Sequence, residues 1–93
     1  MDRVATIREL IETSLSATHI EIVDDSHKHA GHPGAASGGG HFNVLVVSDR
    51  FAGESTLARH RMVYSAVESL MPSEIHALSI QALTSEEHSS AEE

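Results

Sequence analysis

Cysteine and tryptophan are absent from this chain, and aromatic residues make up only 3% of it. Without cysteine, the chain by itself cannot form a disulfide or offer a thiolate to a metal or substrate. This absence fits a reducing compartment. The few aromatic residues are also not interleaved with cations, as they are on typical nucleic-acid-binding surfaces. The core must therefore be built from aliphatic side chains.

Long apolar runs and positive charge are also scarce. No stretch approaches the roughly 18 apolar residues that span a bilayer, and no signal-peptide pattern opens the chain. We therefore expect no membrane association and a cytoplasmic location, or an organelle if the source is a eukaryote. Lys and Arg number 6 against 14 Asp and Glu, which gives a formal net charge of −8. Because an acidic domain binds polyanions poorly, weak or no DNA binding is expected.

Histidine is the residue in excess, with eight copies in 93 residues. Three of them, His27, His29 and His32, fall in the glycine-rich segment Ser26–Gly40. This segment has no periodicity and is too long for a simple turn, so it predicts a loop that is mobile in the free protein. The spacing could gather imidazoles around a metal, but ordering such a loop costs entropy. A mobile loop is the favoured interpretation over a self-contained metal site.

The apolar periodicity predicts the element order α-β-β-α-β. The expected helices lie at 2–16 and Ser55–Met71, and the expected strands lie at His19–Asp24, Phe42–Val47 and Ile75–Gln81. The first two strands should pair as an antiparallel hairpin, and a right-handed crossover makes the second and third parallel. The prediction is a two-layer α/β (α+β) domain over residues 1–83, a three-stranded mixed sheet with both helices on one face. Residues 84–93 are acidic and are expected to be a disordered tail.

The segment between the second strand and the second helix, with that helix's first turns, contains half of the cations, namely Arg50, Arg59 and Arg61. Gly53 is expected to adopt a positive φ in a tight turn, and Ser55 to cap the helix that follows. Arg59 falls on the apolar arc of that helix, so its guanidinium should be paired, with Asp49 or a nearby carboxylate as the favoured partner. Arg61 should face solvent.

Four motifs occur in order along the chain: D-D-S-H-K-H-A at 24–30, H-F-N-V-L-V-V-S-D-R-F-A-G-E at 41–54, R-H-R-M-V-Y at 59–64 and I-H-A-L-S-I at 75–80. Through them the chain resembles the BolA family over about residues 3–83. The resemblance implies a fold like the class II KH domain. It also implies a partnership with monothiol glutaredoxins, in heterodimers that share a [2Fe–2S] cluster and serve iron–sulfur trafficking or iron regulation. Glutathione would come from the partner, and the isolated chain would be a monomer or weak homodimer without a cofactor.

The same resemblance implies two histidine ligands in this chain. His76, which opens the last strand, matches the family's second ligand, and His29 best matches the ligand in the loop between strands one and two. The glycine-rich insertion leaves His27 and His32 as competitors, while His41 is a weaker candidate because the strand it enters fixes its direction. Histidine replacing thiolate on one iron is the Rieske arrangement. Since imidazoles bind metal in the neutral form, the assembly is expected to weaken at acid pH.

A DNA-binding transcriptional regulator of the BolA type is the alternative function. Its contacts would come from the cationic stretch, with candidates Arg50, Arg59, His60 and Arg61. The acidic charge opposes this function, and the G-x-x-G match at Gly31–Gly34 lies between strands rather than between helices. An enzyme is not expected, because no set of nucleophile, base and orienting group is readable in the sequence.

Overall fold

Six regular elements follow one another in the computed structural model, which describes residues 2–26 and 40–92, with side chains up to residue 90. They are α1 (Arg3–Leu15), β1 (His19–Asp24), β2 (Gly40–Val47), α2 (Thr56–Val67), β3 (Ile75–Leu83) and α3 (Ser85–Glu92). Short 3-10 turns at Asp49–Phe51 and Glu68–Leu70 flank α2. The predicted mobile loop, with His27, His29 and His32, lies outside the described residues.

The sheet confirms the predicted topology. Its strand order is β1-β2-β3, with β1 antiparallel to β2 and β2 parallel to β3. β1 has the predicted bounds, whereas β2 starts at Gly40 and β3 runs on to Leu83. The fold is therefore the expected α+β arrangement with a mixed three-stranded sheet. The parallel pairing also means that β2 and β3 begin at the same end of the sheet.

The core lies between one face of this sheet and the helices α1 and α2. The predicted apolar arcs of both helices are buried, and none of their core residues is more than 5% exposed: Ile7, Ile11, Leu15, Val63 and Val67. They pack against Phe42, Val44 and Val46 of the central strand. Asn43 of the same strand is exposed, and Leu45 is half-buried. The face of the sheet opposite the helices is therefore partly open.

The connection from β2 into α2 forms as predicted. Gly53 has φ +78°, in the region that favours glycine. Ser55 accepts a hydrogen bond of 3.1 Å from the backbone N–H three residues later, which caps α2. Ser48, only 1% exposed, donates to the Leu15 carbonyl at 2.6 Å and so ties the end of β2 to the end of α1. These contacts hold α2 against the sheet.

The prediction of a disordered tail is wrong for residues 84–92. Thr84 follows β3 directly, and Ser85–Glu92 form α3. Thr84 and Glu87 exchange hydrogen bonds, since Thr84 N–H donates to Glu87 Oε1 at 2.8 Å and Glu87 N–H donates to Thr84 Oγ1 at 3.2 Å. This reciprocal pair is a capping box, and the carboxylates in the first turn also suit the helix dipole. The T-S-E-E sequence contains this signal, which the acidic composition concealed.

Candidate functional site

His76 occupies an irregular position at the start of β3. Gly40 pairs with Ile75 and His41 pairs with Ala77, so one step along β2 corresponds to two along β3. His76 is the extra residue, and it has no Cα partner in β2. Bulges of this kind re-aim side chains and are over-represented beside functional sites. The bulge therefore makes this end of the sheet a candidate functional site.

Two histidine rings meet at this bulge. The rings of His41 and His76 lie edge to face, with centroids 5.1 Å apart and planes inclined by 88°. His76 is exposed and His41 is half-buried. Both side chains therefore lie at the end of the sheet where β2 and β3 begin, and the His76 side chain is open to solvent.

The backbone of His41 is hydrogen-bonded to Asp25 and Ser26, which follow β1. These residues, together with Gly40, are called the stem. His41 N–H donates to Ser26 Oγ at 3.0 Å, and the His41 carbonyl accepts from Asp25 N–H at 2.8 Å. Asp24 Oδ1 in turn accepts from Ser26 N–H at 2.9 Å. Ser26 and Gly40, the described residues on either side of positions 27–39, therefore lie beside the histidine pair.

Gly40 is required at this stem for a steric reason. A Cβ on Gly40 would lie 2.5 Å from a ring carbon of Phe42 and 2.9 Å from Ser26 Oγ. Gly40 N–H also donates to the Glu74 carbonyl at 3.0 Å, which joins the start of β2 to the turn before β3. Only glycine allows the stem, the Phe42 ring and β3 to approach this closely.

The structure corrects the predicted orientation of His76. The alternation of β3 placed His76 on the same face as Leu78 and Ile80, half-buried beside them. In the structure Ile75 is fully buried, whereas His76 and Ala77 are both exposed and Leu78 is buried again. The bulge interrupts the two-residue period and turns His76 outward. Its position at the start of β3 is as predicted.

His41, the weaker candidate in the sequence, lies against His76 in the structure. Its fixed direction at the start of β2 was a reason to rank it below the loop histidines, but that direction brings its ring against His76. The contact depends on the register of a parallel pair whose residues are far apart in the chain. His27 and His32, like the leading loop candidate His29, lie outside the described residues.

The four cationic candidates do not form one surface. Arg59 is half-buried, with its side chain 14% exposed, and it donates to the Glu54 and Ala82 carbonyls at 3.0 and 3.1 Å. It also forms a bidentate salt bridge with Glu87, with Nη1–Oε1 and Nη2–Oε2 distances of 2.6 and 3.3 Å. Pairing with a carboxylate is confirmed, but the partner is Glu87 of α3 and not Asp49. Arg59 is thus engaged within the chain.

The other three cationic candidates are more accessible. Arg61 is exposed, as predicted, and lines a shallow groove between α1 and α2 with Leu15 and Met62. Arg50 is exposed and donates to the Ser14 carbonyl at 3.3 Å. His60 is half-buried on α2. Arg50 and Arg61 are therefore the cations of this set that a partner could reach.

The pairing with Arg59 has a strong electrostatic effect on Glu87. The hydrogen bond from Arg59, helped by the one from Thr84 N–H, lowers the pKa of the Glu87 carboxyl from 4.5 to about 2. The carboxylate therefore stays ionised and bonded to α2 at any physiological pH. This pair anchors α3 to the body of the domain.

The chemistry of the site is that of a nitrogen donor pair. His41 and His76 offer two imidazoles, and no cysteine exists anywhere in the chain. Imidazole suits zinc, copper and iron, and a pair of imidazoles can replace two thiolates on one iron of a [2Fe–2S] cluster. The residues present fit the nitrogen half of such a mixed ligand set, and the thiolate half would have to come from another molecule.

Comparison with known proteins agrees with this fold and these motifs. A family model described as BolA-like protein matches residues 11–87. This chain belongs to the BolA-like family. The DNA-binding transcriptional regulator BolA of Escherichia coli K12 is 42% identical over 85 residues, which are 87% of this chain and 78% of that protein. The resemblance predicted from the four motifs is confirmed.

Plant relatives place the BolA-like region within a larger protein. The SufE-like protein 1 of Arabidopsis thaliana is 41% identical over 83 residues, but the match covers 84% of this chain and only 22% of that protein. The solved BolA domain of SufE1 from the same plant superposes with a TM-score of 0.79 at 40% identity, covering 94% of this chain and 96% of the domain. The BolA-like fold of this chain is thus also found as one domain of a longer protein.

Among the helices that the structure describes, none has the length and apolar character to cross a membrane.

Proposed function

We propose that this BolA-like protein is a non-enzymatic adaptor that binds a monothiol glutaredoxin and co-ligates a [2Fe–2S] cluster through two histidines. The observation that carries the proposal is the contact between His41 and His76 at a β-bulge, beside the stem of a histidine-rich segment. The occurrence of a BolA domain within a larger SufE-like protein fits a role in which the domain serves a partner.

The ligand balance explains why a partner is needed. A [2Fe–2S] cluster takes four ligands at its two irons, and this chain has no thiolate to supply. A glutaredoxin cysteine and its glutathione would provide the two thiolates. Histidine ligation on one iron raises the reduction potential of the cluster relative to four thiolates. The adaptor therefore changes the electronics of the cluster as well as its location.

His76 is the anchoring ligand in this proposal, and the second ligand is a histidine of the adjoining segment. His29 remains the first choice from the family resemblance. It is three residues from Ser26 in the sequence, and three residues of chain span at most about 11 Å. His27 is closer along the chain, and His32 is farther. His41 is the fourth candidate, because its ring already contacts His76.

Co-expression with a monothiol glutaredoxin tests the proposal. Absorption and circular dichroism spectra of the purified complex should show a [2Fe–2S] cluster, and electron paramagnetic resonance of the reduced complex should show nitrogen coupling. His76→Ala should remove the coupling of its own nitrogen or destroy the cluster altogether, while the matched control His60→Ala should keep the coupling of both nitrogens. Single replacements of His29 and His41 then identify the second ligand. An unchanged spectrum in the His76→Ala complex would refute the assignment.

Transcriptional regulation through DNA is the second candidate, because the Escherichia coli relative is a DNA-binding transcriptional regulator. Arg50 and Arg61 could reach phosphates, but Arg59 is committed to Glu87 and the chain is acidic. We expect weak DNA binding that disappears as salt is raised. Fluorescence anisotropy with labelled duplexes at several salt concentrations measures this. Sequence-selective nanomolar binding at physiological salt would reverse the ranking of the two functions.

A further inference from the structure

A second group of metal-ligating side chains lies at the other end of the sheet. His19 and Glu21 of β1 and His88 of α3 each offer one ligand atom, and these atoms all lie within 4.8 Å of one another. We propose that these three side chains bind a divalent transition-metal ion of the zinc class. The ion would link α3 to β1.

The strand places two of the three ligands. Ile20 is buried, so by strand alternation its neighbours His19 and Glu21 share the opposite, exposed face. His19 Nε2 and Glu21 Oε2 lie 2.6 Å apart, within hydrogen-bonding distance. Metal binding would replace this hydrogen bond by two coordinate bonds. The carboxylate and the imidazole are thus already directed to one point.

The third ligand comes from α3 and is held there by contacts that need no metal. The Arg59–Glu87 pair anchors the first turn of α3, and Ser85 N–H donates to Asp49 Oδ1 at 3.1 Å. His88 then stacks on His19, with ring centroids 5.0 Å apart and planes inclined by 22°. The helix therefore delivers His88 to the exposed end of β1 as a consequence of the fold.

The donor set and the distances suit zinc. Zinc bonds to imidazole nitrogen and carboxylate oxygen at about 2.0–2.2 Å, so donors around one tetrahedral ion lie about 3.3 Å apart. To reach this value, His19 Nε2 and Glu21 Oε2, now 2.6 Å apart, would separate slightly, and the longer distances, all within 4.8 Å, would shorten by side-chain rotation. Two histidines and one glutamate leave the fourth position to water, as in open zinc sites. Partial exposure of the side chains lets the ion exchange with solvent.

This site is separate from the His41–His76 pair. His19 pairs with Val47 at the end of β2, whereas His41 lies near its start. Six residues of strand separate the two positions, which is about 20 Å. Zinc binding at one end and cluster ligation at the other can therefore be tested independently on the same chain.

Zinc titration of the whole chain, without glutaredoxin, tests the proposal. Long-range proton–nitrogen correlations of labelled histidine rings report which imidazoles bind the ion. We expect the ring resonances of His19 and His88 to change together and to stop changing at one equivalent of zinc, whether or not the His76 resonances change. Loss of a ligand should weaken binding at this site at least tenfold, since loss of an outer-shell partner alone costs 10–100-fold. His88→Gln and Glu21→Gln are the test variants, and His60→Gln is the matched control.

Thermal unfolding supplies the second readout. Zinc bound to the native state should raise Tm by several degrees, and this rise should be absent in Glu21→Gln, a variant that leaves α3 and its capping box intact. The proposal is overturned if zinc alters only histidines other than His19 and His88. It is also overturned if Glu21→Gln and His88→Gln bind zinc at this site as tightly as the His60→Gln control.

Discussion

Replacing Arg59 by alanine should destabilise the domain far more than the same change at Arg61, two residues along the same helix. Arg59 donates to the half-buried Ala82 carbonyl at 3.1 Å and lies 6.0 Å from the centroid of the fully buried Phe51 ring. A hydrogen bond involving a charged group contributes about 1.5–3 kcal/mol. The bond to the exposed Glu54 carbonyl is replaced by water, and solvent screens part of the pair with Glu87, whose side chain is 45% exposed.

We therefore expect Arg59→Ala to lower the free energy of unfolding by about 2–3 kcal/mol. For a domain of this size the corresponding fall in Tm is on the order of 10 °C. Arg61→Ala should change the free energy by at most about 0.5 kcal/mol, because the side chain is exposed. Urea denaturation followed by far-ultraviolet circular dichroism measures both values. Equal losses in the two variants, or a larger loss for Arg61→Ala, would refute the assigned role of Arg59.

Two further predictions concern the anchor of α3 and the stem of β2. Because Arg59 lowers the pKa of Glu87 from 4.5 to about 2, the stabilisation by this carboxylate is complete above pH 4.5 and is lost as the pH falls towards 2. The difference in unfolding free energy between wild type and Glu87→Gln should therefore shrink over this range, and a difference that persists at pH 2 would contradict the pairing. Gly40→Ala should cost about 1–3 kcal/mol, because the new Cβ overlaps the Phe42 ring. It should also shift the His41 and His76 ring resonances. Unaltered stability and resonances would show that the stem accepts a Cβ at position 40 without rearrangement.

The local elements were predictable because their signals are local. β1 has the bounds that its alternation predicted, and both long helices bury the arcs that their periodicity predicted. The cap at Ser55 and the positive φ of Gly53 follow from the chemistry of single residues. α3 carried an equally local signal in the capping box of Thr84 and Glu87. It was missed because net acidity was given more weight than the spacing.

The candidate site was predictable only in part. The sequence pointed to His76 through the start of a strand and the family motif, but it placed the side chain on the wrong face. A bulge appears only when two strands are paired, since it is a mismatch of register between them. The bulge and the parallel register together put His41 against His76. The contact between His41 and His76 could not be predicted without them.

By itself, the sequence determined the composition of the core, the order and type of the five main elements, and the absence of any thiolate. These properties depend on residue type and on spacing within one element. Tertiary structure alone decided which carboxylate pairs with Arg59, since Glu87 is 28 residues away. It likewise decided that His88 stacks on His19 and that His41 meets His76. Each of these contacts joins residues that only the packed sheet and helices bring together, so no local pattern encodes them.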